Sequence, residues 1–270
     1  MLGVLSLACA GLAATGASTK MMVTLGGTAA SVMGVESARE MQISVPEAAI
    51  TPAGLAAAQY IAALPEMVHG TRDVLCSDSL CALTFAACGS KVTAFQAPGE
   101  EERAEALQQV AEAQQLHVTT APFDLMADGE PLPIEGSEKQ YYGAASGRAN
   151  LLLLADCLSD EASARRMAVV VGEAVKISAW VILADQGPSS PWRELFLELL
   201  EKELAYVDCG HPHFDDDCIV EQPELGWQAE PVALLRLNAP MSAAALNTGF
   251  GSLEERRGFA LPPPTVQAIQ

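Results

Sequence analysis

Short apolar runs alternate with longer segments of helical period through the middle of the chain. Seven runs predict β-strands at residues 73–77, 91–95, 117–121, 149–155, 179–184, 205–209 and 232–237. Between them the pattern predicts helices at residues 80–88, 100–115, 161–175 and 191–203. Strands that alternate with helices form βαβ units, in which helices cover both faces of a mainly parallel sheet. The unbroken apolar run Leu151 to Leu154 is typical of a strand buried on both faces.

The last two predicted strands depart from this alternation. Residues 211–230, which separate them, show no helical period and are predicted to be a loop. Two strands joined without a crossover helix pair antiparallel, so the pattern predicts a seven-strand sheet with an antiparallel last strand. Residues 126–147 are predicted to be a long surface insertion near the carboxyl ends of the strands.

The two ends of the chain differ in composition from its middle. Residues 1–34 are apolar and rich in small residues, which leaves three interpretations: an organelle-targeting remnant, a membrane-buried anchor, or a packing helix pair. Residues 37–46 are polar and are predicted to be a linker, and Thr51-Pro52 then predicts a helix start. The chain therefore divides into an N-terminal arm and linker (1–45), a domain (46–240) and an extended Pro/Gly/Ala-rich tail (241–270).

The charge excludes some classes of partner. With a formal charge of −19 and only 15 Lys and Arg, the chain lacks the basic clusters that neutralise nucleic-acid phosphates. Its seven cysteines are odd in number and unpaired in spacing, so reduced thiols are expected. His211, His213 and the neighbouring acids resemble metal ligands, but we interpret them as a solvated loop and expect no metal.

Five segments in order resemble class I S-adenosylmethionine-dependent methyltransferases, with most similarity to the protein-lysine branch that includes the electron-transfer-flavoprotein lysine methyltransferase. They are residues 51–61, 69–75, 151–161, 180–185 and 231–237. The resemblance spans about residues 50–238 and implies an α/β, Rossmann-like methyltransferase fold. It also implies that the turn after the first strand holds the cofactor.

Carried over to this sequence, the resemblance implies specific site residues. They are Ser77, Asp78, Ser79, Gln96 and Asp124 for the cofactor, and Asp156 for orienting the attacking amine. The family pattern would have an acid at Cys76 and glycines at Asp78, Leu80 and Ala82. Ordinary residues in place of left-handed glycines are expected to cost about 1 kcal/mol or more each. We also expect Leu80 to project into the cofactor space, and Asp78 to repel the methionine carboxylate.

Two functional hypotheses follow from the altered loop. The first is a catalytically degenerate protein that needs no cofactor and serves as a structural or interaction subunit. Its partners would be proteins of a larger assembly in an organelle, a chloroplast or mitochondrion, with membrane association through residues 1–34. The second is an active protein (lysine) methyltransferase that uses S-adenosylmethionine. Methyl transfer depends mostly on positioning, so a missing base does not decide between them.

Overall fold

The computed structural model describes residues 20–25, 41–64, 72–127, 132, 149–176, 179–187, 190–205, 213–222, 225–237 and 265–268. The strands are β1 (Lys20–Leu25), β2 (Met41–Pro46), β3 (Arg72–Cys76), β4 (Lys91–Gln96), β5 (Val118–Pro122), β6 (Ala149–Ala155), β7 (Trp180–Asp185), β8 (His213–Gln222), β9 (Trp227–Leu237) and β10 (Thr265–Ala268). The helices are α1 (Pro52–Ala62), α2 (Ser79–Ala87), α3 (Glu101–Ala113), α4 (Glu161–Lys176) and α5 (Arg193–Leu204), and Glu47–Ala49 forms one 3₁₀ turn.

Seven strands form one sheet in the order β5-β4-β3-β6-β7-β9-β8. The five strands from β5 to β7 run parallel, whereas β9 pairs antiparallel with both β7 and β8. This arrangement confirms the predicted Rossmann-like methyltransferase fold with its antiparallel last strand. The predicted boundaries of most strands and of every helix agree with the structure to within a residue or two.

Two hydrophobic cores cover the sheet, one on each face. Helices α1, α2 and α3 pack on the first face, and α4 and α5 pack on the second. The side chains of β6 alternate between them: Leu151 and Leu153 enter the first core, and Leu152 and Leu154 the second. All four are fully buried, as expected for a central parallel strand.

The edge strand β8 was not predicted, because it lies inside the predicted loop of residues 211–230, and that loop is therefore wrong for His213–Gln222. The strand that we expected at residues 205–209 is not tested beyond Ala205, which is the C-cap of α5, since residues 206–209 lie outside the described ones. Strand β8 carries three consecutive aspartates, and charged residues are typical of edge strands. The aspartates interrupt the apolar alternation by which the strand would be predicted.

A second, three-stranded sheet joins the two ends of the chain in the order β10-β1-β2. Met21, Val23 and Leu25 of β1 alternate inward, and together with residues of β2 and β10 they belong to the first core. Of the three interpretations of the arm, a helix pair is therefore wrong for Lys20–Leu25, and the predicted linker is wrong for Met41–Pro46. No helix among the described residues is long and apolar enough to span a bilayer.

One side chain fixes the outer edge of the small sheet to the main domain. The Gln114 side chain accepts a hydrogen bond from the Ser44 N–H at 2.8 Å and donates one to the Ser44 carbonyl at 2.9 Å. Its amide nitrogen also donates to the Val110 carbonyl of α3 at 3.1 Å. The amide thus pairs with β2 much as a neighbouring strand would, and it covers part of an exposed edge.

We predict that Gln114→Ala lowers the free energy of unfolding by about 1–3 kcal/mol, since it leaves a partly buried donor and acceptor unpaired. Urea unfolding of the full chain measures the loss, and hydrogen exchange at the Ser44 amide should accelerate. Gln108→Ala is the matched control, because that exposed side chain, among the described residues, donates a hydrogen bond to Thr120 and takes no part in the small sheet. Equal stability of the two variants would contradict an anchoring role for Gln114.

Candidate functional site

The carboxyl ends of β3 and β6 meet where the order of strands in the sheet reverses. From β3 the chain continues to β4 and β5 on one side, and later forms β6 and β7 on the other. Open α/β sheets bind ligands in the crevice at such a switch point. The turns after β3 and β6 carry Ser77, Asp78 and Asp156, so the fold brings these predicted site residues to one edge of the sheet.

The turn after β3 is only two residues long, because α2 begins directly after Asp78. Asp78 has extended backbone angles, with φ −116° and ψ 135°, and its Oδ1 accepts a hydrogen bond from the Cys81 N–H at 2.8 Å. It is therefore the N-cap of α2. No residue from Ser77 to Ala82 has a positive φ. The strain expected from the missing glycines is thus wrong, since this turn needs no left-handed residue.

Leu80 does not occupy the crevice as expected. Its side chain is fully buried in the first hydrophobic core, where it packs with α1 and the sheet. Because the helix begins at Ser79, position 80 lies in its first turn and faces the core. The prediction that Leu80 blocks a cofactor is therefore wrong, and Asp78 is the altered residue that reaches the crevice.

The first turn of α1 lies directly against the Asp78 carboxylate. A Cβ placed on Gly54 would lie 2.9 Å from Asp78 Oδ2, so only glycine allows this approach. Thr51 caps α1 by accepting a hydrogen bond from the Gly54 N–H at 3.0 Å, and the Cys81 thiol donates to the Gly54 carbonyl at 3.3 Å. The N-terminal ends of α1 and α2 therefore meet at one carboxylate.

Asp156, which follows β6, combines backbone strain with an unpaired carboxyl group. Its φ is 53°, a left-handed conformation, and both carboxyl oxygens are buried without a hydrogen-bond partner among the described residues. Burial raises the pKa of this carboxyl above its usual range; the nearby Thr51 hydroxyl opposes the change, and Asp78 and Asp185 add to it. Strained backbone of this kind often marks a functional position.

Asp185, at the end of β7, is the third carboxylate at this edge, and its charge is balanced. It forms a buried ion pair with Arg193 of α5 and accepts a hydrogen bond from the Gly187 N–H at 2.6 Å. Asp78 accepts the capping hydrogen bond of α2 from the Cys81 N–H and lies near the positive charge of Arg103. Asp156 thus has no ion-pair partner among the described residues, and the nearby Thr51 hydroxyl is the group that favours its charged form.

A crevice of about 270 Å³, part of it open to solvent, lies beside the turn after β3. Its walls come from that turn, from Ala94 and Phe95 of β4, and from Glu100 and Arg103 at the start of α3. Arg103 bridges its mouth, donating to the Ser77 carbonyl at 3.4 Å and contacting Glu100 at 3.4 Å. Because that volume includes open solvent, the enclosed part of the crevice is smaller still and leaves little room for a whole cofactor.

Both predicted serines line the crevice, yet Ser77 has a structural role as well. Its hydroxyl accepts a hydrogen bond from the Ala155 N–H at 3.0 Å, and its own N–H donates to the Leu153 carbonyl at 3.1 Å. These bonds extend the pairing of β3 with β6 beyond the strands themselves. Ser79 is buried in the first turn of α2.

The residues predicted to hold a nucleoside lie at the ends of β4 and β5. The backbone of Gln96 pairs with Pro122, while the Gln96 side chain lies outside what the structure describes. Asp124 is half-buried, and its Oδ1 accepts a hydrogen bond from the Met126 N–H at 2.8 Å. Nothing in the described structure joins Asp124 to the carboxylates beside β3 and β6.

Two residues of the site were not predicted from the sequence. Gly54 permits the close approach of α1, and a lone glycine inside a helix gives no signal of that contact. Arg103 gives no signal in the sequence either, since its hydrogen bond to the Ser77 carbonyl joins the start of α3 to the turn after β3. Both contacts depend on packing between elements that are distant in sequence.

Three free thiols surround the turn after β3: Cys76, Cys81 and Cys157. Burial raises the pKa of Cys81, and it raises that of Cys157 to about 12. Both thiols therefore stay protonated at neutral pH and are poor nucleophiles and metal ligands. No group of described side chains is arranged to hold a metal ion; His211 and the side chains of residues 213–222 lie outside that description.

No protein-family model and no curated protein matches this chain. Solved structures similar to it include the tRNA (uracil-54, C5)-methyltransferase of Pyrococcus abyssi in complex with S-adenosyl-L-homocysteine. That match has 9% identity and a TM-score of 0.43, and covers 75% of this chain and 43% of the other. A TehB-like S-adenosylmethionine-dependent methyltransferase from Corynebacterium glutamicum has 11% identity and a TM-score of 0.42, with 70% and 89% covered. This chain therefore spans less than half of the first protein.

We predict that Asp78→Asn and Asp78→Ala distinguish two contributions of Asp78 to stability: the hydrogen bond that caps α2 and the buried carboxyl charge. Burial raises the pKa of Asp78 above 3.8, so the folded protein holds this proton more tightly than the unfolded chain. The free energy of unfolding of the wild type should therefore fall, relative to both variants, as pH rises above that value. Asparagine can still cap α2, so the free energy of unfolding of Asp78→Asn should exceed that of Asp78→Ala by about 1 kcal/mol at every pH.

Thermal and urea unfolding between about pH 4 and pH 7 test this prediction. Asp160→Asn is the control, because Asp160 caps α4 through the Ser163 N–H at 2.7 Å and is not fully buried. If the difference in free energy of unfolding between the wild type and Asp78→Asn stays constant across this pH range, the buried-charge explanation is contradicted.

Proposed function

We propose that this chain is a methyltransferase-fold protein that has lost ordinary cofactor binding and acts as a structural or interaction subunit. The observation that carries the proposal is the Asp78 carboxylate, which caps α2 from within the turn where a cofactor loop would lie. A glycine-rich loop presents free backbone N–H groups and lets a ligand approach closely. Here the turn is short and the carboxylate already engages the Cys81 N–H.

The residues present fit S-adenosylmethionine poorly at its amino-acid end. A methionine carboxylate beside the start of α2 would meet two carboxyl groups, those of Asp78 and Asp156, which repel it when they are ionised. The crevice itself holds only about 270 Å³ together with open solvent. These features support a protein that retains the fold for its shape, and the same scaffold is known to host many unrelated roles.

The partner we propose is a protein with a basic surface, because the chain carries a formal charge of −19. Placement in an organelle, and membrane association through residues 1–34, are proposals that rest on the composition of that segment. Within it the structure describes only Lys20–Leu25, and those residues form β1.

Thermal unfolding of the full chain with and without S-adenosylmethionine or S-adenosylhomocysteine tests the proposal. A ligand at a hundred times its dissociation constant adds about 2.7 kcal/mol to the free energy of unfolding. We expect no shift with either ligand at millimolar concentration, in a sample that unfolds cooperatively. A clear, saturable shift would overturn the proposal and favour the second candidate.

The second candidate is an active protein-lysine methyltransferase, and Asp156 is the observation that favours it. Its carboxyl oxygens lack partners, its backbone is left-handed, and it lies after β6 at the switch point. An unpaired carboxylate there could accept hydrogen bonds from a substrate amine and orient it. Such a position would be retained at a cost in stability.

Under this second candidate, Asp156→Asn should lower methylation of a lysine-rich test peptide by about a hundredfold, because the amine loses its orienting charge. Asparagine tolerates the left-handed backbone, so the variant should fold. Mass spectrometry of the peptide measures the transfer, and Asp160→Asn is the control. Wild-type protein that leaves the peptide unmodified would contradict this candidate for lysine acceptors.

A further inference from the structure

The positive ends of two helices converge on one buried side chain in this protein. Asp78 Oδ1 accepts the Cys81 N–H in the first turn of α2, and Asp78 Oδ2 lies against Gly54 in the first turn of α1. Asp78 is only 6% exposed. Each helix N-terminus carries a partial positive charge and unpaired N–H groups, which together attract an anion.

The surrounding contacts hold this carboxylate in place. The Cys76 thiol donates to the Asp78 carbonyl at 3.1 Å, and the Cys81 thiol donates to the Gly54 carbonyl at 3.3 Å. Thr51 satisfies the Gly54 N–H of α1. Side chains of the protein itself, Asp78 and Thr51, therefore cap both helices at this junction.

We propose that Asp78 is a tethered substitute for a ligand carboxylate, and that it is the residue that excludes carboxylate-bearing nucleosides from the crevice. The inference rests on the proposed loss of cofactor binding and assigns the exclusion of the amino-acid end of the cofactor to one side chain. Because Asp78 lines the crevice, caps α2 and lies against the first turn of α1, a second carboxylate would lose the helix charge and would meet a like charge when Asp78 is ionised. A nucleoside without an amino-acid tail would meet neither penalty.

Asp78→Gly in the full chain tests this assignment, with S-adenosylhomocysteine and 5′-methylthioadenosine as probes. The two ligands share the adenosine thioether, and only the first bears a carboxylate. We expect the variant to bind S-adenosylhomocysteine about tenfold to a hundredfold more tightly than the wild type, as for a regained charged hydrogen bond. The affinity for 5′-methylthioadenosine should change little. Isothermal titration calorimetry measures both.

Asp160→Gly is the matched control, since it removes the same cap from α4, far from α1 in the chain. If Asp78→Gly does not fold, Asp78→Asn keeps the cap and removes only the charge. It should then bind S-adenosylhomocysteine at least about fivefold more tightly, the smallest factor expected for removing a nearby like charge.

The outcomes separate this inference from the proposed function. A folded Asp78→Gly or Asp78→Asn protein with unchanged affinity for S-adenosylhomocysteine overturns the inference and leaves the proposed function in place. An equal gain for both nucleosides also overturns it, because the carboxylate would not be what is excluded. Binding of S-adenosylhomocysteine by the wild type would instead contradict the proposed function.

Discussion

The strand β6 has to be covered on both faces, and the rest of the fold follows from that constraint. Its four leucines are fully buried and alternate between two separate cores. Helices must therefore lie on both sides of the sheet, and each must return the chain to start another parallel strand. As a result, the turns after β3, β6 and β7 gather at a single edge, and three aspartates from distant parts of the sequence become neighbours there.

At this edge of the sheet, side chains of the protein accept hydrogen bonds from backbone N–H groups that a ligand could otherwise bind. A buried N–H group needs a partner, whether from a ligand or from the protein. In a glycine-rich cofactor turn some of those partners come from the ligand, whereas here Asp78 supplies one and the turn contains no left-handed residue. The altered sequence is thus compatible with an unstrained fold, which explains how three changed glycine positions can coexist with regular packing of α1 on α2.

The apolar pattern was sufficient to predict most of the sheet, because β3, β4, β6 and β7 have contiguous or alternating apolar residues and intervening helices. It failed for β8, whose aspartates mask the period of an edge strand, and for β1 and β2, whose sheet is completed by β10 far away in sequence. The positions of Asp78 and Asp156 followed from the resemblance. The contact of Gly54 with Asp78 did not, since it depends on how α1 packs against α2.

Charge balance distinguishes the three carboxylates more sharply than their positions do. Asp185 forms an ion pair with Arg193, and Asp78 caps the first turn of α2, but Asp156 has only the nearby Thr51 hydroxyl and no ion-pair partner among the described residues. A buried carboxylate without a partner raises its own pKa and favours any cation that can reach it. A lysine of a protein partner would suit this carboxyl group under the first functional hypothesis, and the amine of a methyl acceptor would suit it under the second. What separates the two hypotheses is whether a carboxylate-bearing cofactor can lie beside Asp78.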